Sequence, residues 1–291
     1  MKTLAIVVIT LAVAAKAKDQ ETLKARFRSL YGRFGQESTT EVEVVSGPED
    51  VKMRNGGVAG KQWIATCGTY RFKLTIQDST EVELDQLVQT IEKLPGPYIR
   101  ACEAVSDEGE DGIAVYADLG GASAHGGKTY INIIPRANAI TIAHEVGHTL
   151  EQVARESDPK ILDKWEEAIE ADKISVSDYG DNVRHEDLGE FAQVYAVCLD
   201  AGPEHLAALN KLSPARFALW EKILRASPPR DAPRHSRPTR NAPRACTRSQ
   251  PYSLEAPCSC CLRFAARSAS IRLNASMTSG GQRKLGAPAG S

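Results

Sequence analysis

The chain has 291 residues, 42% hydrophobic and 25% charged, an ordinary balance for one or two globular domains. Its formal net charge of −1 hides a division: residues 228–291 hold ten Arg and one Lys against Asp231 and Glu255, near +9, which leaves near −10 for residues 1–227. An acidic body argues against nucleic acid as the main partner.

The chain opens "MKTLAIVVITLAVAAKAKD". Lys2 supplies a positive start, Leu4 to Ala15 is an apolar run too short to span a bilayer, and Ala15-Lys16-Ala17 fits the small-x-small cleavage rule. Residues 1–17 therefore read as a signal peptide, and the mature chain is expected to be secreted, with no membrane span. Export makes disulfides possible. Of the seven cysteines, Cys67 and Cys102 are candidates for pairing, while Cys198 reads as a small buried hydrophobe in a helix. The "CSCC" run at Cys258, Cys260 and Cys261 has the wrong spacing for a zinc knuckle.

Residues 18–38 show a weak helical period (Leu23, Phe27, Leu30, Phe34). "TTEVEVVSG" alternates as a strand and is expected to stop at Gly47-Pro48. Asn55-Gly56-Gly57 marks a turn, and Tyr70, Phe72, Leu74 and Ile76 share one face of the next strand. Val82, Leu84, Leu87, Val88, Ile91 and Leu94 form a helical stripe that Pro95-Gly96 ends. "GIAVYADL" and "KTYINIIP" read as short strands, with "GGASAHGG" a loop between them. Further helices are expected from Asp158, as N-cap with Pro159 in the first turn, from Glu186 to the stop at Gly202-Pro203, and from Ser213, as cap with Pro214 in the first turn. Residues 228–291 hold eight of the fifteen prolines and almost no periodic apolar stripe; they are expected to be disordered. Asn274-Ala275-Ser276 within them is a glycosylation sequon.

The stretch "ITIAHEVGHTLEQ" carries the chemistry. Residues four apart on a helix share a face, so His144 and His148 can meet one tetrahedral ion. Glu145 lies ~100° around the helix, placed to take a proton from a water on the metal. Gly147 has no side chain to obstruct metal or substrate. Ile140, Ile142, Ala143, Val146, Thr149, Leu150 and Val153 would bury the rest of the helix. A catalytic zinc needs one more protein ligand. Glu151 and Ala154 stand where a metzincin would have Gly and His, which excludes that pattern. The remaining candidates gather downstream: Tyr179, His185, Glu186, Asp187 and Glu190. His125, in the glycine-rich stretch, reads as a surface histidine.

His144-Glu145-Val146-Gly147-His148, then Tyr179-Gly180-x-Asn182, then Glu186-Asp187-x-x-Glu190, resembles the catalytic domain of anthrax lethal factor and the related secreted Pro-Pro endopeptidases, which are gluzincins. The resemblance covers roughly residues 80–226. It implies that one Zn2+ is held by His144, His148 and Glu186, that Glu145 is the general base, that Tyr179 stabilises the oxyanion, and that Glu190 is held close behind the ligands. Two positions depart from the family's habit: Glu151 where Asp is common, and Gly189 where Ala is common.

These readings give an α+β chain: a β-rich region over 18–77, a zincin-like catalytic domain with a mixed sheet and a helical C-terminal lobe over 78–227, and a basic tail over 228–291. The expected function is a secreted zinc endopeptidase acting on a peptide bound in extended form, with "TYINII" offering its edge. The alternatives are a secreted binding or toxin-like protein on a non-catalytic zincin fold, and hydrolysis of a bond other than a peptide bond.

Overall fold

The computed structural model describes residues 21–36, 40–108 and 111–226; the expected signal peptide and basic tail lie outside them. Two short helices lead, α1 (Leu23–Arg26) and α2 (Arg28–Tyr31). Strands β1 (Glu43–Lys52), β2 (Ala59–Cys67) and β3 (Tyr70–Gln77) follow, then α3 (Leu84–Glu92) and α4 (Gly96–Glu108), then β4 (Ile113–Val115), β5 (Ala124–Gly127) and β6 (Tyr130–Ile133). The rest is helical: α5 (Ala139–Ser157), α6 (Ile161–Asp172), α7 (Asp178–Asn182), a 3-10 turn (Arg184–Glu186), α8 (Asp187–Ala201), α9 (Pro203–Leu212) and α10 (Pro214–Arg225). No helix among the described residues is long and apolar enough to cross a membrane.

The expected α+β class holds, with one mixed six-stranded sheet in the order β1-β2-β3-β4-β6-β5. The first three strands are antiparallel, β3, β4 and β6 run parallel, and β5 turns back against β6. The 39–77 strands thus continue directly into the sheet that supports α5. The period-2 pattern of β3 acts as read: Phe72, Leu74 and Ile76 are buried. Gly56 and Gly57 both adopt positive φ in the β1–β2 turn.

Several boundaries differ from expectation. β1 does not stop at Gly47-Pro48 but runs on to Lys52, with register irregularities on either side of Ser46. It ends the sheet order, and an edge strand absorbs a proline and a bulge without losing an interior ladder bond. Pro95-Gly96 ends α3 as expected but also opens α4, and Gly202-Pro203 likewise opens α9. A proline in the first turn costs no helical hydrogen bond, as with Pro97 in α4 and Pro203 in α9. The unforeseen α4 buries Tyr98, Ile99, Cys102 and Val105, and its Tyr98 hydroxyl donates to the Ala192 carbonyl at 2.6 Å.

"GGASAHGG" is not a loop. It contains β5, paired from Ala124↔Ile133 to Gly127↔Tyr130. The extra strand places β6 inside the sheet, so the edge beside α5 belongs to β5 and not to "TYINII". Cys198 is buried in α8 as expected, whereas Cys67 and Cys102 are both free thiols. Burial pushes the Cys102 thiol up to about 12.

Of the two expected caps, Ser213 does stand at the N-cap of α10 with Pro214 in the first turn, though its side chain makes no capping bond, while Asp158 does not cap α6. Asp158 closes α5 instead of starting α6, and its carboxylate takes Lys164 Nζ at 2.6 Å and Lys222 Nζ at 2.8 Å. At α10 the Ser213 hydroxyl donates to Asp172, and the Asp172 carboxylate accepts the free N–H groups of Ala215 (2.8 Å) and Arg216 (3.0 Å). A carboxylate from another helix does there what an N-cap side chain does. The hydrogen bonds from Lys164 and Lys222 hold the Asp158 carboxyl down at about 2. Its folded pKa is depressed, so its stabilisation is present above the ordinary aspartate range and disappears as pH falls through about 2. Asp158→Asn is expected to lower the Tm at pH 7, with the difference from wild type vanishing near pH 2 in thermal melts.

Candidate metal centre

The site begins with α5. Asn138 caps it, its side-chain oxygen accepting the Thr141 N–H at 3.0 Å. Ile142, Ala143, Val146 and Leu150 are completely buried, which fixes the helix roll and turns His144, Glu145 and His148 to one cleft of about 1260 Å³. Thr149 ties the helix to the sheet by donating to the Gly127 carbonyl at 3.0 Å, and Lys128 N–H reaches Gln152 at 2.8 Å. Gly126 of β5 lies so near Glu145 that a Cβ there would meet the Glu145 carbonyl oxygen at 2.6 Å.

α8 supplies the opposite wall, and two glycines let it approach. A Cβ on Gly147 would stand 2.8 Å from the Ala192 Cβ and 3.0 Å from the Gly189 Cα. Gly147 thus serves helix–helix contact, a correction to its expected role of keeping metal and substrate unobstructed. A Cβ on Gly189 would fall 2.7 Å from His144 Nε2 and 2.9 Å from His148 Nε2. The departure from Ala at this position therefore sits directly against both imidazoles. The other departure, Glu151, is buried and paired with Arg155 at 2.7 Å.

His144, His148 and Glu186 converge. His144 Nε2 lies 2.9 Å from Glu186 Oε2, His148 Nε2 lies 3.3 Å from the same oxygen, and the two Nε2 atoms are 3.1 Å apart. Two ligands bound ~2.0–2.1 Å from one tetrahedral zinc stand about 3.3 Å apart, so these three atoms form a triangle close to one face of that tetrahedron. They are the group among the described residues able to hold a metal ion. Two imidazole nitrogens and one carboxylate make a donor set suited to first-row divalent ions.

The electrostatics favour a cation there. Burial alone would lower His144, yet the Glu186 and Glu190 carboxylates outweigh it and hold its pKa up at about 10. Burial would raise Glu186, but its bonds to His144 and His148 keep it far below the usual carboxylate range. A field that stabilises a proton on His144 also stabilises a divalent ion that replaces it, so metal binding should release protons.

The other predicted residues divide. Glu145, 8% exposed, lines the same cleft, and so does half-buried Tyr179 from α7. Glu190 places Oε1 3.4 Å from His144 Nδ1, behind the imidazole. His185 contacts Glu186 Oε1 at 3.0 Å but stands outside the metal group, as does His125, which lines the cleft from β5. Asp187 turns into the core. Its Oδ1 accepts Trp165 Nε1 (2.9 Å) and Arg216 Nε (2.9 Å), and its Oδ2 accepts the second Arg216 nitrogen at 3.1 Å. Arg216 is 1% exposed and also donates to the Ile174 carbonyl at 3.0 Å. This clamp fixes the start of α8, one residue after Glu186.

Sequence reasoning missed the Asp187–Arg216 pair and Lys24. Lys24 Nζ donates to Glu190 Oε2 at 2.8 Å across 166 residues of chain. No short-range pattern could have signalled either contact.

The fold and this cleft define an α+β chain with a buried His-His-Glu group able to bind a metal ion. Against family models, curated proteins and solved structures, the chain finds no match.

Proposed function

We propose that the chain is a secreted zinc-dependent endopeptidase with a zincin-like catalytic domain of the gluzincin kind. The observation that carries this reading is the convergence of His144, His148 and Glu186 within 3.3 Å, in a cleft that Glu145 and Tyr179 also line. His144, His148 and Glu186 would hold the ion. Bound there, zinc supplies a Lewis acid that makes a water acidic near neutral pH and polarises a carbonyl.

The chain's own residues do the rest. Glu145, beside His144 and backed by Gly126, accepts the proton of the attacking water and returns it to the departing amine. Tyr179 donates a hydrogen bond to the oxygen that becomes negative when the peptide carbonyl turns tetrahedral. Glu190 holds His144 through Nδ1, leaving Nε2 free to face the ion. An extended peptide adds to the outer edge of β5, the strand that ends the sheet beside Glu145. Export rests on the apolar run Leu4–Ala15 and the Ala15-Lys16-Ala17 step.

Digestion of a peptide library, with and without a chelator, tests the reading. Cleavage that stops with chelator and returns with zinc is expected. Cleavage indifferent to chelator would refute the metal mechanism, and zinc binding without cleavage of any peptide would favour a non-catalytic binding protein.

A further inference from the structure

We propose that Lys24 is a positioning residue for the metal centre: its ammonium holds the Glu190 carboxylate against His144 and so fixes the imidazole for the ion. The inference rests on the metal reading above and adds the N-terminal segment to the site.

Glu190 uses its two oxygens for two partners. Oε2 accepts Lys24 Nζ at 2.8 Å, and Oε1 stands 3.4 Å from His144 Nδ1. Holding one oxygen opposes rotation of the carboxyl group away from the ring. Glu190 is only 4% exposed and shares the cleft with the carboxylates of Glu145 and Glu186. A ligating imidazole is neutral and brings no charge to offset Glu190. Lys24 pairs with Glu190 directly, so the carboxylate keeps a cation beside it whether or not the ion is bound.

The lysine is itself anchored. Leu23 N–H donates to the Ser175 carbonyl at 2.9 Å and Lys24 N–H to the Val176 carbonyl at 3.0 Å. The Leu23 side chain is completely buried, and Thr22 caps α1 by accepting the Ala25 N–H at 3.1 Å. Lys24 therefore leaves a fixed backbone, just ahead of the α7 segment that carries Tyr179, and reaches the far side of the ligands.

The test compares wild type, Lys24→Met, Lys24→Arg, Glu190→Gln and the Lys24→Met/Glu190→Gln double variant. Zinc affinity is read by chelator competition, kcat and KM on zinc-saturated protein, and Tm by melting. Lys24→Met should weaken zinc binding on the order of 10- to 100-fold, as loss of a partner behind a ligand does, with Lys24→Arg recovering most of it. The double variant should bind zinc no more weakly than Glu190→Gln alone, since both act through one contact. Unchanged zinc affinity in Lys24→Met, additive losses in the double variant, or a raised KM at full zinc affinity would each overturn the inference. The last would make Lys24 a substrate contact. Wild type that binds no zinc would overturn the metal reading as well, whereas wild type that binds and cleaves beside an indifferent Lys24→Met would overturn this inference alone.

Discussion

Glu145→Gln is expected to leave zinc content unchanged and to lower peptide cleavage by about 10²- to 10⁴-fold, the span that a positioned general base contributes. The substitution keeps shape and hydrogen-bonding reach while removing the group that can take a proton. Glu145 is not among the three converging ligand atoms, so the ion has no reason to leave. Its backbone is held by α5 and by the close approach of Gly126, so the amide should stay where the carboxylate was. Elemental analysis of the purified variant beside its kcat/KM gives the answer. A variant with wild-type turnover removes Glu145 from the mechanism, and a variant without zinc makes it a structural part of the site.

The largest loss of stability is expected from Arg216→Met. Arg216 and Asp187 are each 1% exposed, with the guanidinium on both carboxylate oxygens at 2.9 and 3.1 Å. Burial raises the Asp187 pKa, and the Arg216 charge and hydrogen bonds oppose that rise. Removing the arginine leaves a buried carboxylate with only Trp165 Nε1 as donor in this cluster, a change worth about 3–5 kcal/mol. For a chain of this size that corresponds to a Tm lower by roughly 10 °C. Glu186 is the neighbour of Asp187 on the turn into α8, so zinc affinity should fall with stability. Arg216→Met with Asp187→Leu removes both charges and should recover most of the Tm. A single variant as stable as wild type would show that the clamp does not hold α8.

The part of the site carried by local spacing was legible in the sequence. His144, Glu145 and His148 needed only helical geometry and a buried stripe, and both held except at Ile140, which is half-buried and lines the cleft. Glu186 and Glu190 stood among five downstream candidates, the resemblance supplied their roles, and the structure brings each to His144. What spacing could not reach were contacts closed by the tertiary fold. Lys24 lies 166 residues from Glu190, and Arg216 lies 29 from Asp187. Each reads alone as an ordinary surface charge.

The fold was legible wherever apolar periodicity ran clear, as in β3 and α5, and was misread where one residue type has two meanings. Pro95-Gly96 and Gly202-Pro203 looked like the ends of helices, and new helices start at Gly96 and Pro203. The glycines of β5 looked like a loop. Gly126 is there because no Cβ fits beside Glu145, and that close approach brings the strand edge to the cleft. Asp158 closes α5 and pairs with Lys164 and Lys222 instead of capping α6, whereas Ser213 does start α10 but leaves the capping hydrogen bonds to the Asp172 carboxylate from α6.

Zinc stoichiometry of wild type and Glu186→Ala, measured on protein purified without chelator and re-equilibrated with limiting zinc, tests the central claim most directly. One zinc per chain in wild type, with little or none in a folded Glu186→Ala variant and a matching loss of peptide cleavage, is the predicted result. Wild type without zinc, or equal zinc in both proteins, would contradict the assignment of His144, His148 and Glu186 as the ligands.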